Sequence, residues 1–87
     1  MNPTYRVELA RRATKALAAL PRQEQQRVRA AIDLLVEAPR PPGCVAVTGE
    51  RSTYRVRVGV YRIVYEVHDD VLLVQVVRVG HRRQVYR

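Results

Sequence analysis

Two stretches in the first half of the chain repeat their apolar residues at the spacing of a helix. Residues 10–20 carry one apolar stripe and residues 21–38 carry another, and Pro21, a residue that suits the first position of a helix, separates them. The stripes consist of Ala13, Leu17 and Leu20 in the first stretch and of Val28, Ala31, Ile32 and Leu35 in the second. Residues 5–9 alternate in polarity. We therefore predict a short strand followed by a helical hairpin.

The second half of the chain changes to a period of two. Residues 39–43, "PRPPG", end the helical pattern, and residues 43–51 leave room for a short extended segment. From residue 52 onward the chain is rich in Val, Tyr and Ile, with turn signals at Gly59-Val60 and at residues 68–70, "HDD". A last strand is expected over residues 71–79, with Gly80 ending it. The pattern predicts one α+β domain over residues 1–87: an N-terminal strand, a two-helix hairpin and an antiparallel β-meander, with the helices packed on one face of the sheet.

The first predicted hairpin turn determines which side chains share a face of the sheet. Counting outward from this turn, Arg57 lies opposite Arg62, and Arg55 lies opposite Val64. Since opposed residues and residues two apart share a face, the three arginines project from the same face. Like charges opposite each other destabilise a sheet by roughly a few tenths of a kcal/mol, so folding alone does not favour this arrangement. A bound phosphate would favour it, because guanidinium groups match phosphate oxygens.

The charge of the chain leaves two interpretations of these arginines open. The chain carries sixteen Lys and Arg residues against eight Asp and Glu residues, which gives a net charge of +8. This surplus favours a polyanionic partner, either nucleic acid or an acidic protein. In the first interpretation the three arginines form an anion-binding site. In the second they form a solvated face, whose aliphatic stems cover apolar surface near acids such as Glu66.

The C-terminal segment, "VRVGHRRQVYR", places more basic and titratable groups after the last strand. An imidazole, a phenol and several guanidinium groups beside the three arginines would suit phosphoryl transfer. The alternative is a basic terminus that its tyrosine anchors. The residues concerned are Arg78, His81, Arg82, Arg83 and Tyr86.

Other kinds of site lack the residues that they need. The single Cys44 excludes an internal disulfide and a cysteine-rich zinc site, and His68 and His81 show no metal-ligand spacing. Four scattered glycines form no phosphate-binding loop. The sequence shows no signal peptide and no long apolar run, so we expect a cytoplasmic protein, and we expect no cofactor and no metal.

The second half of the chain resembles a known family. The stretch "YRVRVGVYRIVYEVHDD", followed by "VVRVGHRRQVY", resembles the RelE branch of the RelE/ParE toxin superfamily, the toxin halves of bacterial toxin–antitoxin pairs. The order of the predicted elements extends the resemblance over the whole chain. The resemblance implies a ribosome-dependent endoribonuclease, or mRNA interferase. Such an enzyme cleaves mRNA in the ribosomal A site, without a metal, by attack of a ribose 2′-hydroxyl on the adjacent phosphate.

The resemblance also implies roles for the three hairpin arginines. Arg55 and Arg57 occupy the family's two basic positions on the first hairpin strand, where they would bind RNA. Arg62 matches the arginine of the family's "YR" motif, which stabilises charge on the phosphate. Lysine is common at the first two positions. Because arginine keeps its proton, with a pKa above about 12, Arg55 and Arg57 are poor proton donors.

The C-terminal segment supplies the remaining roles that the resemblance implies. Arg82 matches the basic residue after the family's "VG" pair, and Tyr86 matches a near-terminal tyrosine that stacks on a base or helps proton transfer. The acid–base role therefore shifts toward His81 or Tyr86, of which His81 has an unperturbed pKa of about 6.5. Arg78 and Arg83 are expected to contact RNA.

The partners implied by the resemblance are an acidic, RelB-like antitoxin and the ribosome with its mRNA, and operator DNA only through the antitoxin complex.

Two alternative functions remain open. A member of the ParE branch would have the same fold, no nuclease activity and DNA gyrase as its target. A non-catalytic RNA-binding domain would need only the arginines. Members of the ParE branch generally lack the full arginine–tyrosine set, which favours the nuclease.

Overall fold

The computed structural model describes residues 4–81, and all structural statements below concern these residues. Its elements are β1 (Arg6–Leu9), α1 (Arg11–Ala18), α2 (Arg22–Leu34), β2 (Val45–Ala46), β3 (Thr53–Val58), β4 (Tyr61–His68) and β5 (Leu73–His81). The strands form one sheet in the order β1-β5-β4-β3-β2, in which β1 runs parallel to β5 and the other neighbours are antiparallel. The predicted α+β fold is therefore confirmed, and β2 is the short extended segment for which residues 43–51 left room.

The two helices cover one face of the sheet, and the core lies between the two layers. The helices contribute both predicted apolar stripes, and the strands contribute the alternate residues that point toward them. The buried apolar residues are Ala13, Leu17, Val28, Ile32 and Leu35 from the helical half and Ile63, Tyr65, Val67, Val74, Val76 and Val79 from the sheet. We call the face of the sheet away from the helices the outer face.

The second helix ends earlier than the periodicity predicts. Helix α2 stops at Leu34 rather than at residue 38, and residues 35–37 form a turn. Pro39 disfavours a helical conformation at the residue before it. In addition, the carbonyl of Val36 accepts a hydrogen bond from the backbone N–H of Tyr5 at 2.8 Å. The end of α2 is thus used to hold the beginning of β1.

The turn between β3 and β4 has the predicted position and needs its glycine. Gly59 has a φ of +61°, a conformation that side chains rarely adopt. A Cβ atom at this position would also lie 3.4 Å from Nη2 of Arg27, which extends from α2 over the turn. Because a left-handed residue is required here, the turn cannot slide along the chain, and the register of the hairpin is fixed.

Strand β5 differs from the sequence prediction at both ends. It begins at Leu73 rather than at residue 71, because Leu72 has a φ of +51° and still belongs to the turn. At the other end the prediction that Gly80 ends the strand is wrong. Gly80 pairs with Arg62 on β4, and the strand continues to His81.

Candidate functional site

The three hairpin arginines lie on the outer face, as the turn predicted. Arg57 is paired with Arg62, and Arg55 is paired with Val64. The alternate residues of β3 and β4 point to the helices: on β4 they are buried in the core, and on β3 they are partly buried and pack against it. These residues are Ile63, Tyr65 and Val67 of β4 and Tyr54, Val56 and Val58 of β3. The sheet therefore holds the three guanidinium groups on one surface and keeps the core on the other.

A β-bulge brings a fourth arginine to the same surface. Tyr65 pairs with Val76, but the preceding residue Val64 pairs with Arg78, so Val77 is an extra residue in β5. The bulge reverses the alternation of β5. Arg78 consequently lies on the outer face beside Val64, whereas a regular strand would turn its side chain toward the helices. Arg55, Arg57, Arg62 and Arg78 are called the arginine cluster below.

The bulge is held by the first helix. The Nε atom of Arg12, on α1, donates a hydrogen bond to the carbonyl oxygen of Val77 at 2.9 Å. A bulge leaves its extra residue outside the regular ladder of hydrogen bonds. The side chain of Arg12 therefore donates to a carbonyl oxygen that lies outside this ladder. Arg12 therefore contributes to the position of Arg78 from the opposite side of the sheet.

An open cavity of about 180 Å³ adjoins the arginine cluster. The chain between α2 and β3 forms one wall, and the hairpin forms the other. The lining residues are Gly43, Val45, Arg55, Val56, Arg57 and Arg62. Arg62 lines this space, and its Nε atom is buried. Convergent guanidinium groups around a cavity of this size suit a phosphate group.

The two central arginines face each other although their charges repel. Arg57 and Arg62 form a directly opposed pair across the hairpin, the arrangement in which cross-strand neighbours are closest. The Nε atom of Arg57 donates a hydrogen bond to the carbonyl oxygen of Gly59 at 3.0 Å. This bond orients the side chain along its own turn, next to the cavity. An anion between the two guanidinium groups would replace repulsion by two attractions.

His81 lies on the other face of the sheet. It pairs with Tyr61, whose ring packs against the core, and the two ring centroids are 6.2 Å apart with the rings nearly perpendicular. The described residues therefore do not place His81 beside the arginine cluster. The other predicted residues of the C-terminal segment, namely Arg82, Arg83 and Tyr86, lie outside the described residues, and their roles stay predictions.

The outer face carries a further pair that the sequence analysis did not single out as a site. Nε2 of His68 lies 3.0 Å from Oε1 of Glu66, and both side chains are half-buried. These residues follow Arg62 and Val64 at intervals of two along β4, so all four side chains project from the same face. The alternation that predicted the arginines could have found this pair as well. His68 was interpreted only as part of a turn.

A second cluster anchors the loop that forms the cavity wall. Arg40 makes two hydrogen bonds to the carboxylate of Asp69, at 2.7 and 3.3 Å, and its Nε donates to the hydroxyl of Tyr54 at 2.9 Å. The hydroxyl of Tyr5 donates to the same carboxylate at 2.5 Å. Hydrogen bonds from Arg40 and then Tyr5 lower the pKa of Asp69, and the bond to Asp69 raises the pKa of Tyr5. No short-range sequence signal indicates this cluster.

The same loop is held at a second point by a buried tyrosine. The hydroxyl of Tyr65 donates a hydrogen bond to the carbonyl oxygen of Pro39 at 2.7 Å, and burial raises the pKa of Tyr65. The ring is also stacked on that of Tyr54, with centroids 6.0 Å apart. The loop between α2 and β2 is thus held at Pro39 and at Arg40, just before the part that forms the cavity wall.

Two other kinds of feature are absent from residues 4–81. No group of three or more His, Cys, Asp or Glu side chains in this range is arranged to hold a metal ion. Neither helix within the same range has the length and apolar character needed to cross a membrane.

A family model identifies the class of protein that this fold and basic surface belong to. The model, described as the ParE toxin of type II toxin-antitoxin systems, parDE, matches residues 7–86. The chain therefore belongs to this toxin family, within the RelE/ParE superfamily. No curated protein sequence matches the chain.

Solved structures of RelE toxins are similar in shape to the chain, which confirms the resemblance to the RelE branch. RelE from the RelE–RelB complex of Pyrococcus horikoshii is 30% identical, with a TM-score of 0.78 over 91% of this chain and 96% of that one. The toxin–antitoxin complex RelBE2 of Mycobacterium tuberculosis gives 28% identity and a TM-score of 0.79 over 91% and 99%. The isolated E. coli RelE toxin gives 27% identity and 0.79 over 94% and 90%. The chain is the toxin of a type II toxin–antitoxin pair.

Proposed function

We propose that this toxin is a ribosome-dependent endoribonuclease that cleaves mRNA in the ribosomal A site and so inhibits translation. The observation that carries the proposal is the arginine cluster beside its cavity, on an outer face that the helices leave free. Four arginines share this face, and three of them, Arg55, Arg57 and Arg62, line the cavity; a bound phosphodiester would offset the repulsion between their charges. The structural similarity to RelE toxins supports the same activity.

In the proposed reaction the substrate supplies the nucleophile. The ribose 2′-oxygen forms a bond to the adjacent phosphorus while the bond from phosphorus to the 5′-oxygen breaks, which leaves a 2′,3′-cyclic phosphate and a 5′-hydroxyl. Arg62 stabilises the charge that develops on the phosphate, and Arg57 neutralises the same group from the other strand. Arg55 and Arg78 hold the neighbouring phosphates of the RNA.

The proton transfers need groups other than these arginines, which keep their protons. The 2′-hydroxyl must lose a proton to a base, and the 5′-oxygen must receive one from an acid. Tyr86 of the C-terminal segment is proposed for these steps by resemblance. Arg82 is proposed as a further cation at the phosphate, and Arg83 as a further contact to RNA. His81, the other candidate for the acid–base role, pairs with Tyr61 on the helical side of the sheet, so the proposal gives the proton transfers to Tyr86 first.

The proposed regulator is an acidic antitoxin of the RelB type. The net charge of +8 favours such a partner electrostatically. The similar structures from Pyrococcus horikoshii and Mycobacterium tuberculosis are toxin–antitoxin complexes. An acidic segment over the arginine cluster would exclude RNA from it. Binding to operator DNA would then be a property of the complex, and the site of action would be the cytoplasm.

DNA gyrase is the target in a second candidate function. The family model that matches residues 7–86 is described as a ParE toxin. Membership of the ParE branch would imply action on gyrase without cleavage of RNA. The arginine cluster favours the nuclease, because gyrase inhibition does not require a phosphate site on this face.

Cellular expression separates the two functions. Primer extension on mRNA from cells that express the chain should reveal cuts in phase with the codons. Arg62→Ala and Tyr86→Phe should abolish or greatly reduce them. Arg11→Ala removes the same charge from α1, on the other side of the sheet, and should leave the cuts unchanged. Growth arrest with intact mRNA and damaged DNA would contradict the nuclease in favour of gyrase, and absence of toxicity would favour a non-catalytic RNA-binding domain.

A further inference from the structure

The outer face changes character along β4. Its outward residues are, in order, Arg62, Val64, Glu66 and His68, and successive members are separated by roughly 6.6 Å, the rise of two strand residues. Arg62 belongs to the arginine cluster, and Val64 is paired with two of its other members, Arg55 and Arg78. The next two carry a carboxylate and an imidazole in contact at 3.0 Å. A single RNA strand that crosses this face therefore meets two different chemistries in succession.

The row that contains Glu66 is polar across the sheet. Glu66 is paired with Thr53 on β3 and with Gln75 on β5, and Gln75 is in turn paired with Glu8 on β1. Thr53 is only 5% exposed, so the accessible groups beside Glu66 are on the β5 side. This row offers carboxylate and amide oxygens as acceptors. It repels phosphate and is suited to the hydrogen-bond donors of a nucleobase.

The contact with His68 orients the carboxylate. Oε1 of Glu66 is engaged with the imidazole, so this contact restrains the carboxylate, which has a second oxygen that can accept a hydrogen bond. A carboxylate accepts hydrogen bonds from the amino groups of cytosine, adenine and guanine. Uracil has no amino group, and its carbonyl oxygen would face the carboxylate unfavourably. Bases of single-stranded RNA are free to present these edges, because they are not paired.

We propose that Glu66 reads the base next to the scissile phosphate and favours a base with an amino group over uracil, with His68 as the residue that positions the carboxylate. The inference rests on the proposed nuclease function and adds to it the residue that sets sequence preference. Arg62 holds the phosphate, and the row that contains Glu66, two outward positions farther along β4, selects the nucleotide.

Cleavage of ribosome-bound mRNA with matched codons tests this inference. Purified ribosomes are stalled on mRNAs whose A-site codons differ only by cytosine or uracil at one position, with each position tried in turn, and cuts are measured with the full toxin chain. At one of the three codon positions, the unsubstituted toxin should cleave the codon with cytosine about tenfold faster than the codon with uracil. This ratio lies within the discrimination that one base contact supplies. Glu66→Gln, which can also donate a hydrogen bond, should bring this ratio close to one.

The controls separate base reading from a general loss of activity. Glu50→Gln removes the same charge from an exposed loop position and should keep the tenfold ratio. His68→Ala should lower the ratio, whereas His68→Gln, which retains a donor toward Glu66, should largely restore it. An unchanged ratio in Glu66→Gln, or no preference in the unsubstituted toxin, would overturn this inference alone. If the unsubstituted toxin makes no cuts at any codon, the proposed nuclease function fails, and this inference fails with it.

Discussion

Arginine has two opposite uses in this small domain. Arg40 is surrounded by protein acceptors: it makes two hydrogen bonds to Asp69 and one to the hydroxyl of Tyr54. Arg57 and Arg62, by contrast, lie directly opposite each other across a hairpin. In the first case, that of Arg40, the guanidinium group joins a loop to a turn and stabilises the fold. In the second, two like charges lie side by side, and a bound anion would offset their repulsion.

The comparison teaches how to separate a structural arginine from a functional one without knowledge of conservation. Replacement of a structural arginine should lower the stability of the protein and should affect activity only through the loop that the arginine holds. Replacement of an arginine that binds a ligand should lower activity. It should change the stability of the protein little, or even increase it. The two clusters are close enough to affect one cavity, because the loop that contains Arg40 also contributes Gly43 to the cavity wall.

The largest expected effect is the loss of cleavage in Arg62→Ala. Removal of one preorganised group that stabilises a transition-state charge lowers the rate by about 100-fold or more. Arg62→Lys keeps the charge but loses the planar fork, so we expect an intermediate rate. The measurement is the rate of mRNA cleavage in a translation reaction, together with urea denaturation of each variant. A loss of activity that is matched by a loss of folded protein would place Arg62 with Arg40 as a structural residue.

Replacement of Arg40 should have the opposite profile. Arg40→Ala is expected to lower the free energy of unfolding by about 1 kcal/mol, a modest value because the ion pair with Asp69 is largely exposed to solvent. Urea denaturation measures the change, with Arg11→Ala as a control that removes the same charge from an exposed position on α1. Cleavage should fall much less than in Arg62→Ala. If cleavage is lost while stability is unchanged, the guanidinium of Arg40 acts on RNA and not on the loop.

The sequence contained enough information to predict the hairpin and its arginines. Gly59 occupies a left-handed position that other residues rarely adopt, so it fixes the turn, and the pairing of Arg57 with Arg62 follows by counting. The apolar stripes likewise identify both helices and the buried face. These are local signals, in which neighbouring residues carry the necessary information.

The other parts of the site depend on contacts that local patterns do not reveal. The bulge at Val77 is supported by Arg12 from a different element, and it decides on which face Arg78 lies. Gly80 was expected to release the end of the chain, but its pairing with Arg62 extends β5 and holds His81 on the helical side. The Arg40 cluster joins residues that are far apart in the sequence, so no periodicity could predict it.

The acid dependence of stability should report the Arg40 cluster. The pKa of Asp69 is lowered by its hydrogen bonds to Arg40 and Tyr5, so its contribution is fully present above the ordinary value of 3.8 and is lost as the pH falls below that value through the folded pKa. Urea denaturation midpoints measured from pH 6 to about pH 2 should therefore decline less steeply in Asp69→Asn than in the unsubstituted chain. Asp70→Asn makes the same change one residue later and should keep the original acid dependence. Equal profiles for all three chains would show that the cluster contributes no stability through Asp69.

The smallest effect, and the sharpest test of the comparison, is a gain in stability on removal of Arg57. Arg57→Gln keeps a donor for the carbonyl of Gly59 and removes the charge opposite Arg62, so the free energy of unfolding should rise by roughly a few tenths of a kcal/mol at low salt. The gain should vanish in about 1 M salt, where charges are screened within about 3 Å. Arg55→Gln is the matched control, because the residue opposite Arg55 is Val64. Equal gains in both variants would trace the effect to the net charge of the chain rather than to the opposed pair, and the contrast with Arg40 would then rest on activity alone.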